Sequence, residues 1–422
     1  MTAFSLNPEQ IAWCAELRTL ADERLRPLAE KGEPGRVNRP LLEALGELGL
    51  LEVLFAGEAP GAGPASRAPH ATSRAPHATS GALGLCLLRE SLAYACTEAE
   101  TALALQGLGA HPVAAHGSAR QREQWLAPAR AGRAVAAFAL SEPGAGSDAA
   151  ALALRAAPDG ASTWRLTGEK CWISNAPEAD FYTVFARTTP GAGARGVTAF
   201  LVPADRAGLT GTPLDMLSPH PIGSLAFEGV TVTGEDVLGE PDRGFRVAMT
   251  TLNRFRPSVG AFAVGMAAAA LDATLAHTAG RDAFGGKLKD LQAVAHQVAE
   301  MATRTEAARL MVHAAAAAYD RGEPDIARRA AMAKLLATET AQYVVDAAVQ
   351  LHGARALQRG HLLEHLYREV RAPRIYEGAS EVQRAIIAKE LYAAQADPQA
   401  APRSTPQPAT RRQSATREEP SA

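Results

Sequence analysis

The chain has 422 residues, 47% hydrophobic and 21% charged, with a formal net charge of −2 and a pI near 6.6. That length and apolar content suit a globular protein of two to three domains with substantial cores. The near-neutral balance gives no basic field for nucleic acid or an anionic membrane, so an anionic ligand must be held by local Arg and Lys. Cys14, Cys86, Cys96 and Cys171 are scattered without a Cys-x-x-Cys, which suits reduced cytosolic thiols rather than disulfides or a zinc site. Residues Met1 to Trp13 lack a signal pattern and no apolar run approaches roughly 18 residues, so a cytoplasmic protein without a membrane span is expected.

From Pro8 to about Arg130 the pattern is helical: Ile11, Cys14, Leu17, Leu20 and Leu25 recur at helix spacing, and Leu41, Leu42, Leu45, Leu48 and Leu50 follow Pro40. This predicts an N-terminal helical domain, 1–130. Within it Ser66-Arg67-Ala68-Pro69-His70-Ala71-Thr72 is repeated unchanged as Ser73 to Thr79. Two copies are too few for a solenoid and build no core, so residues 60–80 are expected to form a flexible loop. Two histidines in such a loop, His70 and His77, make a poor preformed metal site.

From Ala134 to about Val237 short β-type runs take over: Val135 to Leu140, Trp164 to Thr167, Phe181 to Ala186, Val197 to Val202 and Leu225 to Val232. They predict a central β domain, 131–240. Gly191-Ala192-Gly193-Ala194-Arg195-Gly196 matches the dinucleotide fingerprint by letter, but it joins two strand-like runs instead of opening a helix, so a hairpin loop is expected. Helical periodicity returns near Phe245 to Ala279, Lys289 to Arg321, Pro324 to His352 and Ser380 to Leu391, predicting a C-terminal helical bundle, 241–393. The Ala-rich part of the first segment contains Asp272 and His277 and reads as a buried helix. Residues 394–422, rich in Pro, Gln, Ser, Thr and Arg, are expected to be disordered.

Two segments concentrate reactive residue types. Leu140-Ser141-Glu142-Pro143-Gly144-Ala145-Gly146-Ser147-Asp148 leaves a predicted strand and crowds two glycines, two hydroxyls and two acids into one turn. Its free N–H groups and hydroxyls suit a polar ligand; an ordinary Gly-rich turn is the competing reading. Arg374-Ile375-Tyr376-Glu377-Gly378-Ala379-Ser380-Glu381-Val382-Gln383-Arg384 places Glu377 just before a helix, which Ser380 and Gln383 are expected to open as a capping box. A lone loop Glu is usually a solvated charge. The bulky neighbours of Glu377, and a Gly that permits close backbone approach, favour a partly buried base of raised pKa.

These two segments, with Trp172-Ile173-Ser174-Asn175, Arg281 and Phe284-Gly285, Gln292, and Gln350-Leu351-His352-Gly353 in order between them, resemble the acyl-CoA dehydrogenase family of flavoproteins over residues 5–393. The resemblance implies an α+β multidomain fold: an N-terminal helical domain, a central β-barrel-like domain and a C-terminal four-helix bundle. It implies FAD as cofactor, with Phe138, Leu140 and Ser141 on the flavin pyrimidine side, Trp172 and Ser174 flanking the ring, and Ala379 and Glu381 also at the cofactor. Arg281, Phe284, Gln292, Gln350 and Gly353 resemble residues that reach FAD across a subunit interface, which implies a homotetramer built as a dimer of dimers. Ser147 would face the pantetheine arm, while Asn253 and Arg256 match the helix that meets the CoA moiety, and Gly378 is expected at the substrate beside the base.

The implied reaction is α,β-dehydrogenation of an acyl-CoA to a trans-2-enoyl-CoA. Glu377 takes the α-proton, flavin N5 accepts the β-hydride, and the electrons pass to an electron-transfer flavoprotein. Some family members carry the base on an earlier helix, at the position of Phe255; here that slot is aromatic, so Glu377 is the candidate. Three departures stand out: Gly353-Ala354-Arg355-Ala356 lacks two glycines common in the family and adds Arg355, the duplicated loop of residues 66–79 replaces a Gly-containing segment that the resemblance puts near the acyl pocket, and Ala379 replaces a common Thr. An oxygen-reactive acyl-CoA oxidase-like flavoprotein and a non-catalytic scaffold of the same fold are the alternatives. His361-Leu362-Leu363-Glu364-His365 also matches an inverted zinc-peptidase motif, but a helix at the subunit or FAD interface accounts for it without metal.

Overall fold

The computed structural model describes residues 6–55 and 81–396. The duplicated segment, with His70 and His77, and residues 397–422 lie outside the described residues. Helix α1 (Pro8–Leu20) opens on a reciprocal cap between Asn7 and Gln10, with Pro8 in its first turn. It continues through Ala21–Leu25 into α2 (Arg26–Ala29). The buried face of α1 follows Gln10, Trp13 and Leu17, so Ile11, one of the apolar positions in the predicted stripe, is instead 58% exposed. After α3 (Arg39–Glu47), capped by Asn38, come α4 (Ala82–Ala95), α5 (Thr97–His116), α6 (Ala119–Gln121) and α7 (Ala127–Arg130).

The middle of the chain forms seven strands: β1 (Ala136–Ala139), β2 (Arg155–Pro158), β3 (Thr163–Ser174), β4 (Phe181–Arg187), β5 (Val197–Pro203), β6 (Leu209–Pro213) and β7 (Ile222–Thr233). Their order is β1-β4-β2-β3-β7-β6, with β5 also on β4. The barrel-like expectation is realised as an open half-barrel. Strands β4 and β5 pair antiparallel from Phe181 opposite Pro203 to Arg187 opposite Val197, so Gly191 to Gly196 lie in a hairpin connection. Strands β2 and β6 lie outside the predicted runs, because their short sequences lack an apolar alternation.

The last third contains α8 (Gly244–Gly280), a small hairpin of β8 (Asp282–Ala283) and β9 (Gly286–Lys287), then α9 (Gln292–Asp320), α10 (Ile326–His352), α11 (Leu362–Glu369) and α12 (Ser380–Ala396). Among the described residues α8 alone is long and apolar enough to cross a membrane, and 72% of its apolar window is buried inside the protein. It is a core helix. Gly265 lets α8 approach α4 closely, since a Cβ there would sit 2.4 Å from the Glu90 carbonyl. Helices α4 and α8 each contribute to both apolar clusters: Leu85 and Phe255 to that of the N-terminal helices and sheet, Cys86 and Phe262 to that of the bundle.

Helix α12 starts at Ser380 as expected, but not through a capping box. Ser380 donates its hydroxyl to Glu339 Oε1 at 2.5 Å, and the Gln383 amide turns back to the carbonyls of Glu377 and Gly378. The helix runs to Ala396, so residues 394–396 of the expected disordered tail are helical.

Candidate active site

The turn after β1 and the end of β3 form one rim. Lys170, on β3 and fully buried, donates from Nζ to the Leu140 carbonyl at 2.9 Å and to Glu142 Oε1 at 2.7 Å. Glu142 also accepts from the backbone N–H groups of Ala153 and Leu154, and Cys171 N–H donates to the Ser141 carbonyl at 3.0 Å. Burial draws the Lys170 pKa down to about 8, with Glu142 opposing. These bonds bring Leu140 and Ser141 beside Trp172, which occupies a shift in the β3–β7 register with φ 56°. Its indole is 49% exposed. Ser174 ends the strand, and Asn175 secures that end by donating to the Ala136 carbonyl at 2.8 Å. Phe138 packs on Phe185 with ring centroids 4.9 Å apart, while Ser147 is exposed.

Glu377 stands where α8, α10 and α12 meet. Its backbone is in the left-handed region, φ 51°, followed by Gly378 at φ 96°, a geometry Gly adopts without strain. Arg256 Nε donates to the Glu377 carbonyl at 3.2 Å, and Arg256 Nη1 donates to Asn253 Oδ1 at 2.8 Å. Lys334 Nζ and Gln383 Nε2 each donate to the Gly378 carbonyl at 2.8 Å. These contacts take the main chain and leave the side chain alone: Glu377 Oε2 is buried with no hydrogen-bond partner. Burial raises its pKa above the ordinary carboxyl value; Arg89, Arg256 and Lys334 pull the other way.

Behind it lies a buried charge pair. Arg89, on α4, bonds Glu100 of α5 and donates to Ser258 Oγ at 2.6 Å. Burial opposes the Arg89 charge, but Glu100 and then Glu377 outweigh it and hold its pKa above the usual value. Phe255 is fully buried, with its ring edge-on to His111 and its edge against the space over Gly107.

The remaining expected site residues lie elsewhere. Arg281 follows α8, Phe284 tips the β8–β9 hairpin with 90% exposure, Gln292 opens α9, and Gln350 and Gly353 end α10. His277 and His352 stack at 4.2 Å and hold the ends of α8 and α10 together. From Lys334 to Gln350 is about 24 Å along α10 at 1.5 Å per residue, so this exposed group does not share a site with Glu377 of the same chain. Ala379 is half-buried beside Glu377, and Glu381 is exposed and paired with Arg384. His361 caps α11 by accepting from Leu363 N–H, whereas His365 bonds Thr97 Oγ1 at 2.6 Å. The two histidines serve different partners, and among the described residues no cluster of His, Cys, Asp and Glu is arranged for a metal.

Lys334, Arg89, Glu100 and Lys170 escaped sequence reasoning. For Lys334 the available signal was a lone charge in an apolar stretch, Ala330-Ala331-Met332-Ala333-Lys334-Leu335-Leu336, whereas Arg89, Glu100 and Lys170 stand within two residues of another charge, at Glu90, Glu98 and Glu169.

The rim leaves room for a planar cofactor: the Trp172 indole is half exposed beside Ser174, and Gly144 and Gly146 face open space. The half-barrel sheet between two helical domains, with the Glu377 Oε2 buried and unbonded, is the arrangement of a family of flavin-dependent oxidoreductases. The chain belongs to the acyl-CoA dehydrogenase family. It matches that family's N-terminal domain over residues 7–133, its middle domain over 137–230 and its C-terminal domain over 242–392. It is 36% identical to the probable acyl-CoA dehydrogenase FadE25 of Mycobacterium tuberculosis over 92% of this chain and 96% of that one. Among solved structures it is similar to butyryl-CoA dehydrogenase from Megasphaera elsdenii, with TM-score 0.82, 30% identity, and coverage of 92% and 99% of the two chains. An FAD complex of PigA aligns with TM-score 0.80, 26% identity and coverage of 92% and 99%. The family's cofactor is FAD, and the chain is an oxidoreductase acting on acyl-CoA.

Proposed function

We propose that the protein dehydrogenates an acyl-CoA thioester across Cα and Cβ to the trans-2-enoyl-CoA, with Glu377 as the base that removes the α-proton. The observation that carries this reading is the buried Glu377 Oε2, free of any hydrogen bond while three surrounding donors take the main-chain carbonyls instead. A carboxylate desolvated in this way is a stronger base than one in water, which a weakly acidic α-proton requires. Asn253 and Arg256 bind and orient the CoA moiety, Ser147 meets the pantetheine arm, and Gly378 borders the thioester. Phe138, Leu140, Ser141, Trp172, Ser174, Ala379 and Glu381 hold the flavin ring, where FAD supplies the acceptor for the β-hydride.

Arg281, Phe284, Gln292, Gln350 and Gly353 complete the FAD site of a neighbouring subunit in a dimer of dimers. Their exposure and their separation from Glu377 support this reading. Domains 1–130, 131–240 and 241–393 then divide the work among wall, flavin platform and base-bearing bundle. The electrons leave to an electron-transfer flavoprotein, and scattered free cysteines support a cytoplasmic setting.

The test is anaerobic titration of the flavin absorbance with a panel of acyl-CoAs. At least one is expected to bleach the wild-type flavin, while Glu377→Gln keeps its FAD and stays yellow. A wild-type flavin untouched by every acyl-CoA would refute the dehydrogenation, and fast reoxidation by air would assign the electrons to oxygen instead.

A further inference from the structure

We infer that Lys334 is a positioning residue for Glu377: its ammonium fixes the peptide that carries the carboxylate and presents a cation to it. The inference rests on the reading of Glu377 as the base. Lys334 is fully buried in an Ala-rich part of α10, where desolvating an ammonium is costly unless an anion faces it.

Two consecutive carbonyls, those of Glu377 and Gly378, receive four hydrogen bonds from Arg256 on α8, Lys334 on α10 and Gln383 on α12. Together they hold two consecutive left-handed residues, Glu377 at φ 51°, which is strained for a side-chain-bearing residue, and Gly378 at φ 96°. An added Cβ on Gly378 would sit 2.5 Å from Gln383 Nε2. Gln383 shows that a neutral donor serves the Gly378 carbonyl, whose second lone pair could take another, so the positive charge of Lys334 needs a separate explanation.

The charges around it identify the anion. Glu377, Glu339 and Glu381 face Lys334, with Arg256 as the neighbouring cation. Glu339 is engaged by Arg374 at 2.8 Å and by Ser380, and Glu381 by Arg384. Glu377 is the carboxylate left over. Facing Glu377 itself are Arg89 from α4, Arg256 from α8 and Lys334, with Glu100 of α5 bound to Arg89 and Tyr376 adjacent in the chain. Two of these cations have other work, Arg89 on Glu100 and Ser258, and Arg256 on Asn253. Lys334 is bonded to the Gly378 carbonyl alone among the described residues, so its charge is left to act on Glu377 through space.

The test compares two substitutions in the FAD-loaded enzyme by the pH dependence of flavin reduction in a single turnover. Lys334→Gln keeps a donor for Gly378 and removes the charge; Gln383→Met removes a neutral donor from the same carbonyl. Loss of a nearby cation raises a carboxyl pKa. Lys334→Gln is therefore expected to move the acid limb to higher pH by about half a unit or more, with FAD content unchanged. Gln383→Met is expected to slow the reaction at every pH and leave the limb in place. An acid limb of Lys334→Gln that superposes on wild type overturns the proposal.

A reciprocal measurement covers a Lys334 variant that fails to fold. In Glu377→Gln, Lys334 is expected to react with acetic anhydride, followed by mass spectrometry, at lower pH than in wild type. Identical pH dependence in the two proteins refutes the coupling. Flavin bleaching that survives in Glu377→Gln refutes the base assignment, and the acetylation result still judges the charge coupling between Lys334 and Glu377 separately.

Discussion

Replacing Lys170 by Met tests whether one buried cation holds the flavin-facing rim together. Met keeps most of the aliphatic stem and volume, so the apolar burial term changes little. What is lost is the ion pair with Glu142 and the donor to the Leu140 carbonyl, at 2.7 and 2.9 Å. Both partners are buried, at 0% and 5% exposure, so Glu142 keeps its two backbone donors but loses its counter-charge. Breaking a buried pair from one side costs about 3–5 kcal/mol, of which an orphaned carbonyl accounts for about 1–3. Urea unfolding, monitored by tryptophan fluorescence and compared at unchanged m-value, measures the loss. FAD affinity should fall with it, because the Leu140 to Glu142 turn is no longer fixed to β3.

Adding Glu142→Gln removes the stranded charge, yet one amide oxygen must then serve the N–H groups of both Ala153 and Leu154. The double variant is expected to recover less than about half the loss. A single substitution that costs under about 1 kcal/mol and leaves FAD binding intact would refute the reasoning.

Glu377→Gln is expected to lower the rate of flavin reduction by about 10²–10⁴-fold, the usual range for removing a general base, with FAD retained. Its effect on stability has a definite sign. Burial raises the Glu377 pKa in the folded protein above the ordinary carboxyl value, so the folded state prefers the neutral carboxyl; that contribution is complete below the unfolded pKa of about 4.3 and is lost as pH rises through the folded pKa. The variant, neutral at every pH, should melt with wild type in acid and progressively above it toward neutrality. A difference that stays constant or shrinks contradicts the raised pKa. Phe284→Asp puts a charge in place of the most exposed aromatic ring among the described residues, at 90% exposure. Sedimentation should show a smaller assembly with weaker FAD retention, and an unaltered assembly would remove Phe284 from the subunit contact.

The order of helical, β and helical blocks was legible because periodicities of 3.6 and 2 are written locally. Strands β2 and β6 were not, because Arg155-Ala156-Ala157-Pro158 and Leu209-Thr210-Gly211-Thr212-Pro213 owe their conformation to pairing with β3 and β7 rather than to their own composition. The helix beginning at Ser380 was legible while its cap was not. Glu339, 41 residues away in sequence, captures the Ser380 hydroxyl, and a local pattern cannot register so distant a competitor.

The sequence by itself determined the family, the block order and Glu377 as the candidate base, since each depends on residue types at short spacing. The tertiary structure alone decided what surrounds that base. Arg89, Arg256 and Lys334 come from three helices far apart in the chain, and only packing brings their charges to one carboxylate. Packing also left Glu377 Oε2 buried and unbonded. Basicity depends on desolvation and on the positions of neighbouring charges, both of which exist only after the chain has folded.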